Sequence, residues 1–136
     1  MEKGIITYAT VYDDVPVNFG EYNLDPSKGA IVEPTAWPKN ANGIYRGLTN
    51  INYAVQHSVN TVTVRVLEDL GVDASFDFLK NKLHMNSLIE RAQIAGGKVI
   101  SDKDYAALAL GQFNYGVTLL ETTAAYSAFA NSGVYN

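Results

Sequence analysis

The sequence contains no cysteine, one tryptophan, two methionines and two histidines, and no unbroken apolar run approaching the ~18 residues that a membrane span requires. The missing cysteine excludes a disulfide framework and thiolate metal ligands, and leaves both reducing and oxidising compartments open. Lysine and arginine total 10 against 14 aspartate and glutamate, a formal net charge of -4, with no basic cluster of the kind that follows a phosphate backbone. Nucleic acid is therefore not an expected partner. The opening "MEKGIITYATVYDD" carries acidic residues where a signal peptide needs an apolar core, so the chain as given is expected neither to span a membrane nor to direct its own export.

At 136 residues, 47% of them hydrophobic, the chain has the length of one ordinary domain and enough apolar side chain to fold. Residues 5–10, "IITYAT", are β-branched and aromatic and predict a short strand, interrupted by Asp13, Asp14 and Pro16. Residues 18–47 are rich in Pro, Gly, Asn and Asp ("LDPSKGA", "EPTAWPKN", "NANG") and read as a long, mostly irregular loop. Trp37 and Tyr45 within it are expected to anchor the loop rather than to line a peptide or glycan groove.

Beyond the loop the periodicity becomes helical. Leu48, Ile51, Ala54 and Val55 predict a helix capped by Thr49 or Asn50 and ending near His57. Val62, Val64 and Val66 alternate as a strand would, whereas Val62, Val66, Leu67 and Leu70 form a helical stripe; continuation into "LEDL" up to Gly71 favours helix, with Asn60 as its cap. Asp73 is positioned to cap "ASFDFLKNKL", whose Phe76, Leu79 and Leu83 share a face, and "SLIERA" reads as a further short helix. Ser101 with Asp104, and Thr118 with Glu121, have capping-box spacing. The last helix, "LLETTAAYSAFAN", is apolar nearly all round and needs cover, which about six short helices with no second set of strands cannot supply; the chain reads as part of a larger domain.

Ser58 and Asn60 flank a valine in "HSVNTVTVRV", and such a pair can donate and accept hydrogen bonds to one bound group, although small polar residues at a helix junction commonly serve as caps. The surrounding stretch "WPKNANGIYRGLTNINYAVQHSVNTVTVRVLEDLGVDASFDFL", followed by "ALALGQFNYGVTLLETTAAYSAFANSGVYN", resembles the transpeptidase domain of class A penicillin-binding proteins. The likeness rests on the Pro-x-Asn before a glycine-containing turn, Ser58-Val59-Asn60 opening a helix, "LGV" after it and "AYSAFANSG" near the close. It implies a mainly α fold: the helical lobe of a penicillin-binding/serine β-lactamase-like domain, with residues 1–47 as strand and loop and 48–136 as the helices.

Three motifs surround the site in that family, Ser-x-x-Lys, Ser-x-Asn and Lys-Thr-Gly. Only the second is present, since no serine here has a lysine three residues on and no lysine begins Lys-Thr-Gly. The resemblance implies that the Ser58 hydroxyl relays protons and that the Asn60 amide holds the substrate carbonyl, within an enzyme that cross-links peptidoglycan stem peptides at the outer face of the bacterial cytoplasmic membrane and is inhibited by β-lactams. Without the nucleophile and its lysine base, this chain alone is not expected to form an acyl-enzyme. The contrasting possibility is a non-catalytic cell-wall binding or scaffold module that retains the lobe.

Other signals point to no chemistry. His57 and Ser58, as sequence neighbours, do not face each other as base and nucleophile would. His57, His84 and the scattered carboxylates lack the spacing of a metal site, so neither metal nor cofactor is expected. "GGK" at 96–98 has Ala92 where a phosphate loop needs glycine, and predicts a tight turn. Apolar surface left uncovered is expected to favour self-association.

Overall fold

A computed structural model describes residue 4 and residues 6–17, 23–25, 30–32 and 37–135. Much of "LDPSKGA" and "EPTA" therefore lies outside the described residues. The architecture is mainly α, with short two-stranded sheets, and divides into two compact units, Met1–Val66 and Leu67–Asn136.

In the first unit, β1 (Val11–Asp14) pairs antiparallel with β4 (Gly47–Asn50), from Val11 opposite Asn50 to Asp14 opposite Gly47. The strand thus lies later than the expected 5–10. Residues 6–10 instead turn, with Thr10 N donating to Thr7 O (3.1 Å), and the carbonyls of Thr10 and Tyr8 accept from Ile51 N and Asn52 N at the start of the following helix. Asp13 and Asp14 do not interrupt the strand, because Asp14 points into the protein and finds donors there. The long loop is less irregular than expected: β2 (Asn23–Asp25) and β3 (Ala30–Val32) pair antiparallel. The Trp37 carbonyl accepts from Val17 N (2.6 Å) and the Tyr45 hydroxyl lies 3.4 Å from Pro38 O, which fits the anchoring role of both residues.

Helix α1 (Ile51–Gln56) is capped by Asn50, whose side chain accepts from Tyr53 N (2.8 Å), and it closes at His57 as the sequence predicts. Leu48 is not in the helical stripe; it sits on β4, almost fully exposed. Helix α2 (Asn60–Leu70) confirms the helical reading of Val62–Val66 and stops at Gly71, which has φ +88°. Its cap is a correction. Asn60 is the first helical residue, and the Val59 carbonyl accepts from Thr63 N and Oγ1 (3.1 and 3.0 Å). Ile51, Ala54, Val59 and Val62 form the core of this unit, flanked by Ile6, Tyr12, Tyr53 and Val66.

In the second unit, α3 (Val72–Asp77) starts from Gly71 with no side-chain cap and runs into a π-helical turn, Phe78–Lys82. Asp73 does not cap it, because its carboxylate pairs with Lys103 Nζ (2.8 Å). Phe76, Met85 and Leu88 make the core here, with Leu79, Leu83, Leu108, Phe113 and Val117 around them. "SLIERA" is not helical: Ile89 N donates to Asp102 Oδ2 (2.9 Å) and Ile89 O accepts from Asp102 N (2.7 Å), so its backbone is tied to a distant residue. Strands β5 (Ala92–Gln93) and β6 (Val99–Ile100), also unforeseen, form a hairpin around the expected Gly96–Gly97 turn.

Helix α4 (Tyr105–Leu110) is capped by Asp104, which accepts from Ala107 N (2.8 Å), and not by Ser101, whose hydroxyl donates to Glu90 O (2.6 Å). Helix α5 (Leu119–Ala130) has the expected capping box between Thr118 and Glu121. Leu119, Leu120, Tyr126 and Phe129 along it are all largely exposed, at 68–85%.

Candidate functional site

The junction between α1 and α2 presents the Ser58-Val59-Asn60 segment. Val59 is 6% exposed and packs in the first unit's core, so the polar residues on either side are held at its edge. The chain reverses there through Ser58 at φ +51°, a left-handed conformation that few residues other than glycine adopt, with Val59 N donating back to Ala54 O (3.0 Å). Ser58 is exposed, and among the described residues its hydroxyl makes no hydrogen bond.

Asn60 is half-buried, and its Nδ2 donates to the Lys39 carbonyl (2.7 Å). A carbonyl can only accept, which fixes the amide with its nitrogen toward Lys39 and leaves a second N–H for another partner. A cavity of about 180 Å³ opens beside the junction, lined among others by Asp14, Asn40, Arg46, Tyr53, His57 and Ser58. Ser58 lines it and Asn60 does not, so the two predicted residues share a junction but not this cavity.

Beneath the junction lies a polar cluster that the sequence did not reveal. Asp14 is 1% exposed; its Oδ1 accepts from Thr61 Oγ1 (2.5 Å) and Asn40 Nδ2 (2.7 Å), and its Oδ2 from Arg46 N (2.9 Å). Burial pushes this carboxyl up, but the bonds from Thr61, Asn40 and Arg46, with the Arg46 charge, prevail and hold it below the ordinary 3.8. The available signal was an acid directly before an apolar residue, read as a strand breaker, and a threonine between Val59 and Val62 on the buried face of α2.

His57 is engaged with Tyr53. Its ring stacks on Tyr53 (centroids 3.8 Å apart) with Nδ1 3.0 Å from Tyr53 O, and the Arg46 guanidinium lies 4.8 Å from the other ring's centre. Among the described residues no group of three or more His, Asp or Glu is placed to hold a metal, and no helix is long and apolar enough to cross a membrane.

Ser58 and Asn60 thus flank a buried valine at a helix junction in a mainly α lobe. The family described as the penicillin binding protein transpeptidase domain matches residues 5–136. Penicillin-binding protein 1A of Clostridium novyi is 30% identical over 133 residues, covering 96% of this chain and 13% of that protein. The same-named protein of Aquifex aeolicus is 36% identical over 110 residues (80% and 12%), and penicillin-binding protein 4 of Bacillus subtilis is 33% identical over 99 residues (72% and 14%). The chain belongs to the penicillin-binding protein transpeptidase family. It spans only 12–14% of the length of these relatives.

Proposed function

We propose that this chain supplies the Ser-x-Asn wall of the penicillin-binding site in a peptidoglycan D,D-transpeptidase, with Ser58 and Asn60 as its site residues. The observation that carries the reading is the exposed Ser58 hydroxyl, unpartnered among the described residues and held at a left-handed backbone position by the buried Val59, beside an asparagine whose orientation is fixed by Lys39. Strain at a non-glycine residue persists when the surroundings impose it, and functional sites are where it gathers.

In this reading a serine outside the chain attacks the carbonyl between two D-alanines, forming an ester as terminal D-alanine leaves with the proton that the Ser58 hydroxyl passes on. An amine of a neighbouring stem peptide then displaces the ester and regenerates the serine. Asn60 donates its free amide hydrogen to the substrate carbonyl, a contact that orients the bond under attack. β-Lactams enter by the same route and halt at the ester. No cofactor takes part, and the parent enzyme works at the outer face of the cytoplasmic membrane.

Fluorescent penicillin tests the assignment. The native protein containing this segment labels covalently, S58A and N60A each slow labelling by about 10²–10³-fold, and the 136-residue chain by itself stays unlabelled. Labelling of the chain alone contradicts the inventory of nucleophiles; undiminished rates in S58A and N60A refute the site. The second reading is a non-catalytic cell-wall binding or scaffold module that retains the lobe. The flanking genomic sequence separates the two, because the enzyme needs Ser-x-x-Lys upstream and Lys-Thr-Gly downstream.

A further inference from the structure

We infer that Asp14 is a positioning residue for the Ser-x-Asn segment, its buried carboxylate holding Asn60 in place through Thr61 on one side and through Asn40 and Lys39 on the other. The inference rests on the site reading given above. Thr61 immediately follows Asn60 and is bound twice, by Oγ1 to Asp14 (2.5 Å) and by its backbone N to Asn40 Oδ1 (3.4 Å). Asn40 in turn immediately follows Lys39, whose carbonyl holds the Asn60 amide, and it donates to both Asp14 and the Ile44 carbonyl (2.9 Å). The backbone of Asn60 and the partner of its side chain are therefore both one residue from a bond to the same carboxylate.

The chemistry calls for an acid here. Asp14 receives three donors, Asn40 in the loop, Arg46 N just before β4 and Thr61 in the first turn of α2, and it is 1% exposed. A carboxylate accepts at both oxygens and donates at neither, whereas an asparagine must turn its NH₂ toward one of those donors. A buried charge gives poor stabilisation compared with apolar packing of the same volume, so stability is a weak reason for an acid in this position. Fixing geometry is a sufficient one: an ångström of misplacement in a positioning group slows reactions by about 10²-fold.

A carboxylate that merely staples β1 to α2 predicts different kinetics from one that acts through Asn60. The test uses the native protein and measures the second-order rate of acylation by fluorescent penicillin, with thermal unfolding as the control for folding. T61V keeps the side-chain shape and removes the hydroxyl; it lowers the rate by about 10–100-fold, and T61S restores it. In an N60A background T61V adds less than about twofold, because the residue it positions has gone. D14N follows T61V, and if it fails to fold the Thr61 pair decides the matter. Effects of T61V and N60A that multiply, or a T61S protein as slow as T61V, overturn the inference. If N60A alone acylates at the native rate, the fault lies in the site assignment itself.

Discussion

Glu121 does more than cap its own helix, and replacing it with glutamine isolates what its charge contributes. Its Oε1 accepts from Ser87 N (2.8 Å), and its Oε2 accepts from the Ser87 hydroxyl, Thr118 N (3.0 Å) and Thr118 Oγ1 (2.9 Å). The Ser87 hydroxyl, the Ser87 and Thr118 backbone N–H groups and the Thr118 hydroxyl together draw the carboxyl from 4.5 to about 2 against a small opposing effect of burial. For a group shut away from water that gap corresponds to about 3 kcal/mol of folding stability. Glu121 is only half-buried, and screening brings its share to about 1–2 kcal/mol.

The sign follows from the direction of the change. A carboxyl that is more acidic in the folded state stabilises fully above its unfolded value, and the contribution disappears as pH falls from about 4.5 through about 2. E121Q cannot titrate, so at pH 7 it unfolds at a lower urea concentration than the native protein with an unchanged slope, and the gap narrows between pH 5 and pH 2. Urea titrations followed by circular dichroism at several pH values across that range measure it. A gap that is absent at pH 7, or that stays constant down to pH 2, refutes the assignment of the charge to these bonds.

Further outcomes follow from the same geometry. D102A removes the acceptor of Ile89 N, Asn114 N and the Asn114 amide at a fully buried site, and costs about 3–5 kcal/mol in urea unfolding; a loss below about 1 kcal/mol contradicts it. Burial raises the Asp102 carboxyl, but those bonds outweigh it and leave it below 3.8, so acid weakens this tie as well. S58G relieves the φ +51° strain and is more stable than S58A by about 0.5–1 kcal/mol, while acylating as slowly; equal stabilities argue against strain at the junction. The exposed Leu120 and Phe129 on α5 drive concentration-dependent association of the isolated chain, which light scattering detects and L120E/F129E abolishes; a wild-type chain that stays monomeric at high concentration removes the premise.

The helices were legible wherever the apolar period and a local cap coincide, as in α1 with Asn50, α5 with its capping box, and α2 ending at Gly71. The three misplaced caps share one cause. Asn60, Asp73 and Ser101 all have side chains suited to capping, and each is engaged by a partner far away in sequence: the Lys39 carbonyl, the Lys103 ammonium and the Glu90 carbonyl. Local sequence records that a side chain can cap, not that a competitor reaches it first. "SLIERA" failed for the same reason, since Asp102 claims the Ile89 amide that a helix would have used internally. The β1–β4 ladder joins four-residue strands 33 to 39 positions apart, too short for alternation to show in either.

The acids separate what the sequence could say from what it could not. Asp14, Asp102 and Glu121 all bind backbone N–H groups of segments remote from their own, and all are more acidic than in the unfolded chain. In sequence Asp14 reads as a strand breaker, Glu121 only as a capping-box acid, and nothing marks Asp102, because the remote donors that hold them exist only once the chain has folded. Val59 is the opposite case. A single apolar residue between two polar ones at a helix start turns inward and leaves Ser58 and Asn60 flanking it at the edge of the core; the resemblance to the transpeptidase family is what marked that pair in the sequence, and no comparable motif marked the carboxylate beneath it.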